Sequence, residues 1–166
     1  MKTVYGKKIA TLTDILHSFE RYYDVRTEGV ESPFCAEAVF HSHTEQYFLV
    51  KAAHLSDIDS NEYVFFAKAD FLTSAQLEQF SLTAWNRGLS RVHPYNGHRS
   101  SDITLVLLAD KMEEEACKRV KKLHFSKSYR FSFYGWSNFR VLVYETSTGR
   151  AFANHHGSDL KKLVAK

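Results

Sequence analysis

The sequence predicts an α+β fold: a single domain, residues 1–166, in which a mixed, mostly antiparallel sheet carries helices packed on it. Three observations predict it. Leu12, Ile15, Leu16, Phe19, Tyr22 and Tyr23 recur at helical spacing. Aromatics occupy every second position on either side of Gly135 in the run from Lys127 to Tyr144, which reads as a hairpin. Ile103-Thr-Leu-Val-Leu-Leu-Ala109 reads as a central strand buried on both faces.

The elements follow in the order α-β-β-β-α-β-α-β-β-β-α. A first helix over residues 12 to 23 takes its N-terminal cap from Thr11 or Thr13. Gly29 and Pro33 then punctuate the chain before three strand-like runs, Phe34 to His41, Gln46 to His54 and Glu62 to Phe71. On the third run, Tyr63, Phe65, Ala67 and Ala69 share one face, and Phe66, Lys68 and Asp70 the other. Thr73 with Gln76 is a capping-box pattern for a second helix reaching Gly88. A loop from Leu89 to Asp102 leads to the buried strand. Asp110 with Glu113 opens a third helix, with Glu113 to Glu115 at its start and Lys118, Arg119, Lys121 and Lys122 at its end, as the helix dipole favours. After the hairpin come a last strand, Arg150 to Asn154, and a short terminal helix capped by Ser158. Phe131, Val141 and Leu105 are expected in the core, with Trp85 and Trp136 at least partly buried.

Composition excludes more than it assigns. With 44% hydrophobic and 14% aromatic residues, 2 Pro and 7 Gly, the chain is neither disordered nor fibrous. Its 22 Lys+Arg nearly balance 19 Asp+Glu, and the densest basic run is already explained by a helix C-terminus, so no specific nucleic-acid partner is expected. Cys35 and Cys117 make no metal or disulfide pattern. The longest apolar run is far too short for a bilayer, so no membrane is expected and the cytoplasm is the expected compartment. The seven glycines form no phosphate-cradling loop, and no nucleophile elbow is present.

Three groups of residues are candidates for chemistry. Arg91, His93, His98 and Arg99 lie in one polar loop, where two guanidinium forks suit an anionic ligand. Glu45, Lys51, Lys68 and Asp70 share a strand face, and acids with lysines there suit a Mg²⁺-dependent phosphodiesterase. His41 and His43, two apart on a strand, are a weak metal pair, with His54, His93, His98, His155 or His156 as a third ligand. Ordinary cross-strand ion pairs and solvated loop residues explain the same residues without function, and no cofactor is implied. Arg130 and Arg140, interleaved with aromatics, are read as stems lying along rings with their heads in water.

Glu45-Gln-Tyr-Phe-Leu-Val-Lys51, Asn61-Glu-Tyr63, Ser101 to Val106 and Phe133-Tyr-Gly-Trp-Ser-Asn-Phe-Arg140 together resemble an uncharacterised family of short bacterial and archaeal proteins, a domain of unknown function. The resemblance spans nearly the whole chain and implies no activity or site. The order helix, three strands, helix, strand is also similar to the core of restriction-endonuclease-like nucleases, which implies an acid on the second strand and an acid-x-Lys on the third. Glu45 or Asp57 supplies the first acid, but Glu62-Tyr-Val and Ala67-Lys-Ala contain no acid-x-Lys. The leading expectation is therefore a soluble, non-enzymatic domain acting through binding or self-association, its partner unknown. A degenerate Mg²⁺-dependent nuclease is the alternative.

Overall fold

Local signals set the first boundaries. A computed structural model describes residues 3–4, 7–41, 59–95 and 98–165. Two short strands, β1 (Thr3–Val4) and β2 (Lys7–Lys8), pair with each other before helix α1 (Leu12–Phe19). Thr11 caps α1 through a full capping box: its hydroxyl accepts from the Asp14 amide at 3.2 Å, and the Asp14 carboxylate accepts from the Thr11 amide at 2.9 Å. The helix ends at Phe19, earlier than the periodicity predicts. Strand β3 (Asp24–Arg26) follows, too short to leave a sequence signal, and pairs antiparallel with β4 (Ala36–His41). The expected strand from Gln46 to His54 lies outside the described residues.

Strand β5 (Asp59–Leu72) pairs antiparallel with β4, placing Glu62 opposite Phe40. Its alternation is as the sequence predicts: Tyr63, Phe65 and Ala67 join one core, while Val64 and Phe66 join the other. Thr73 and Gln76 form the second capping box, at 3.1 Å in each direction, starting α2 (Ser74–Leu89). The helix returns the chain to β6 (His98–Met112), which runs parallel to β5. Much of the expected polar loop is therefore already strand.

Helix α3 (Glu114–Lys122) follows β6, starting later than Asp110 and Glu113 predict. Glu113 makes no capping hydrogen bond to it; its carboxylate accepts instead from the Ser74 amide of α2 at 2.7 Å. Strand β7 (Ser126–Ser128) then pairs antiparallel with β8 (Trp136–Glu145), which lies parallel to β6, and β9 (Arg150–Ala153) pairs antiparallel with β8 further along. The terminal helix, Ser158–Leu163, is 3₁₀ rather than α.

The seven-stranded sheet runs β3-β4-β5-β6-β8-β7, with β9 beside β7 on the outer edge of β8. Its centre is parallel, and the antiparallel strands flank it. One face carries α2 and α3 over Phe65, Leu105, Leu107, Phe139 and Val141; the other carries α1 and the 3₁₀ turn over Phe66, Val106, Leu142 and Tyr144. Leu105 and Val141 are fully buried as expected, and Trp85 is buried.

Between β7 and β9 the edge of β8 has a gap, which one side chain fills. Asn154 accepts from the Val141 amide at 3.0 Å and the Gly157 amide at 2.9 Å, and donates to the carbonyls of Phe139 at 2.8 Å and Leu123 at 3.1 Å. The carboxamide thus takes the place of a missing strand residue and uses all its hydrogen-bonding capacity while buried. Asn154→Ala strands several buried backbone groups, and each costs about 1–3 kcal/mol. The expected loss, measured by denaturant unfolding, is at least about 3 kcal/mol, and Asn154→Asp will not restore it because a carboxylate has no donors.

Candidate functional site

Between β7 and β8 the chain turns through Tyr129 to Gly135, and here the structure corrects the expected strand alternation. Arg130, Phe131 and Ser132 have φ of 46°, 53° and 71°, consecutive left-handed residues that curl the chain instead of extending it. Backbone bonds close the curl: the Tyr129 amide donates to the Gly135 carbonyl at 2.9 Å, Phe133 to Arg130 at 3.0 Å and Tyr134 to Tyr129 at 3.1 Å. Phe131, expected in the core, is instead 96% exposed, and Phe133 is 80% exposed. At the base, Trp136 and Tyr95 remain 39% and 44% exposed.

The post that holds this turn is His98, the first residue of β6. Buried at 4% exposure, it bonds through Nδ1 to the Tyr134 carbonyl at 2.7 Å and through Nε2 to the Ser101 hydroxyl at 2.8 Å. A carbonyl only accepts, so Nδ1 carries a proton. The rings of Tyr95 and Tyr129 flank the imidazole at 5.9 and 6.0 Å. Gly135 sits against the same segment with φ 83°; a Cβ there would stand 2.3 Å from the Arg99 carbonyl oxygen.

The structure thus joins two segments that the sequence presents separately, the 91–99 loop and the aromatic turn, and gives their residues different tasks. His98 is a support within the protein. Arg91 turns inward, its Nη2 at 3.1 Å from both oxygens of the buried Glu37 and its guanidinium over the Phe65 ring at 5.3 Å. His93 and Arg99 are exposed. On the turn, Arg130 lies over Tyr134 at 4.8 Å and Lys127 over Tyr129 at 5.6 Å.

Of the other candidates, those among the described residues lie in separate parts of the fold. Glu45, Lys51 and His43 lie outside the described residues, as does the His41 side chain. Lys68 and Asp70 are exposed near the end of β5, bordering with Asp110 and Thr146 a cleft of about 330 Å³ beside α1. His155 and His156 cluster with His124, with ring centroids 5.5 and 5.8 Å from His156. Among the described residues no three His, Cys, Asp or Glu side chains are placed to hold a metal ion.

A charge network that the sequence does not announce lies under α1. Arg140 of β8, expected to keep its head in water, is 14% exposed. It bonds Glu62 of β5 at 2.8 Å, both Asp159 oxygens at 2.8 Å and the His156 carbonyl at 3.0 Å. Glu62 also accepts from Thr104 at 2.7 Å and from the Tyr23 hydroxyl. Above it is a cavity of about 350 Å³, bounded on its apolar side by Phe19, Leu160 and Leu163.

Burial, then the charge and hydrogen bond of Glu62, push the Tyr23 hydroxyl far above its ordinary range. Asp159 would be raised by burial, yet its hydrogen bond to Arg140 and the Arg140 charge hold it below the usual carboxylate range. Asp102, opposite Glu62 on β6, is pushed up to about 6 by burial, with Arg140 opposing the shift and the charges of Glu62 and Asp159 reinforcing it.

A folded-state pKa above the unfolded one means that the native state holds the extra proton between about pH 4 and pH 6. The stability this gives is complete at low pH and is lost as pH rises through the folded value. Asp102→Asn mimics the protonated form. The stability difference, variant minus wild type, will therefore grow by about 1–2 kcal/mol between about pH 4 and pH 7, a figure reduced for partial solvation. Urea unfolding at the two pH values measures it, and a difference independent of pH would show that Asp102 titrates normally.

No helix of the described residues is long and apolar enough to cross a membrane. No curated protein and no solved structure matches the chain. A family match covers residues 7–166, nearly the full length: the chain belongs to the domain of unknown function family DUF8052.

Proposed function

We propose that this chain is a non-catalytic binding domain whose working surface is the aromatic turn between β7 and β8. The observation that carries this reading is the exposure of Phe131 and Phe133 at 96% and 80% on a turn closed by four backbone hydrogen bonds. Single exposed apolar residues are ordinary, but two exposed phenylalanines on one short turn, with Trp136 and Tyr95 also part-exposed on the segments that meet at its base, concentrate apolar surface at one end of the sheet, as interaction sites do. The left-handed curl costs conformational energy and brings neither ring any burial. Because the turn is held by His98 and Gly135, little ordering entropy remains to be lost on binding.

The double variant Phe131→Ser/Phe133→Ser separates a working surface from a structural one. Substitution of exposed rings will change stability by no more than about 0.5 kcal/mol per site, while whatever association the wild-type chain shows at micromolar concentration, with itself or with an added partner, followed by sedimentation and light scattering, will be lost. A loss of stability above about 2 kcal/mol would place the rings in the core and defeat the reading.

A further inference from the structure

Resting on the turn as the working surface, we infer that its partner is an anionic phospholipid bilayer, entered at the interface by Phe131 and Phe133. The turn and the segments at its base carry the residue types a membrane interface takes. On the turn are two exposed rings that carry no polar atom. On the segments at its base are Trp136 and Tyr95, amphipathic residues of the type enriched where hydrocarbon meets headgroups. Exposed cations accompany them: Lys127 on β7, Arg130 in the turn and Arg99 at the start of β6.

Charge complementarity selects the sign of the surface. Neither residues 91–101 nor residues 124–144, the two segments that meet at the turn, contain a single Asp or Glu. On the neighbouring strand β5, Asp59 pairs with His98, and Glu62, with Asp102 of β6, lies close to Arg140 on the α1 face. A polybasic, aromatic tip gains from anionic headgroups and from hydrocarbon together, and peripheral insertion requires no spanning helix.

The same geometry disfavours single-stranded nucleic acid. Bases stack on open ring faces, but Tyr134 and Tyr129 are already covered by Arg130 and Lys127. The rings left free gain most by leaving water altogether.

The full chain is tested for cosedimentation with vesicles of phosphatidylcholine alone and with roughly 30% phosphatidylserine, with tryptophan emission as a second readout. Trp85 is buried in the protein, so a blue shift on binding reports Trp136. Expected are binding to the anionic vesicles with a blue shift, much weaker binding to the neutral ones, and weakening with salt. Phe131→Ser/Phe133→Ser will abolish it; Lys127→Ala/Arg130→Ala will lower affinity about 25-fold, about fivefold for each cation near an anionic surface.

No cosedimentation with anionic vesicles, or binding indifferent to the phenylalanines, overturns the inference. Parallel arms use a single-stranded oligonucleotide and the protein alone. Oligonucleotide binding or self-association that depends on Phe131 and Phe133, without vesicle binding, overturns the bilayer while leaving the turn as the working surface. If nothing depends on those rings, both readings fall.

Discussion

Everything in this fold is arranged around a strand that cannot face water on either side. From Ile103 to Ala109, β6 is buried at every position, with a parallel neighbour on each edge. A strand buried on both faces needs a layer over each, and parallel neighbours need crossovers, which here are the helical connections through α2 and α3. Those helices supply one layer, while α1 and the 3₁₀ turn supply the other. The connections also determine what lies where β6 and β8 begin: the 91–99 loop arriving from α2, and the aromatic turn arriving from α3 through β7.

That end of the sheet is also where polar groups are allowed inside, and each is matched. On the α1 side, Glu62 and Arg140 come from strands on opposite sides of β6 and bridge it, joined by Thr104 of β6 itself. On the outer edge of β8, Asn154 completes the backbone pairing between two short strands. His98 does the same work at the base of the turn. Burial makes an unmatched donor or acceptor costly, so these residues constrain the geometry more tightly than apolar neighbours would.

How much of this the sequence showed depended on range. The capping box at Thr73 spans three residues and was legible, and the cap of α1 was narrowed to Thr11 or Thr13; the face alternation of β5, which depends only on spacing, was legible too. β3 was not legible, because three residues, Asp24, Val25 and Arg26, form no run and gain strand geometry only from β4. The aromatic turn misled for the opposite reason: its spacing is that of a strand, but left-handed residues at 130–132 and a histidine from a distant segment override it. Arg140 looked like a solvated hairpin residue because Glu62, its partner, is 78 positions away in the chain. The family resemblance held across the chain, while the loop from Arg91 to Arg99, read as one polar surface, supplies two internal supports in Arg91 and His98.

The contact between Gly135 and the Arg99 carbonyl has a consequence for any attempt to transplant the turn. The residues from Tyr129 to Gly135 supply only part of the turn's shape: backbone bonds and Gly135 close it, but the curl at 130–132 is one that L-amino acids avoid, and it is seated on a carbonyl and an imidazole from another part of the chain. A peptide copied from the turn, or a loop moved into another scaffold, would relax toward the extended hairpin its alternating aromatics favour. The turn is therefore bipartite, and a copy that keeps its shape must carry both segments and the sheet that joins them.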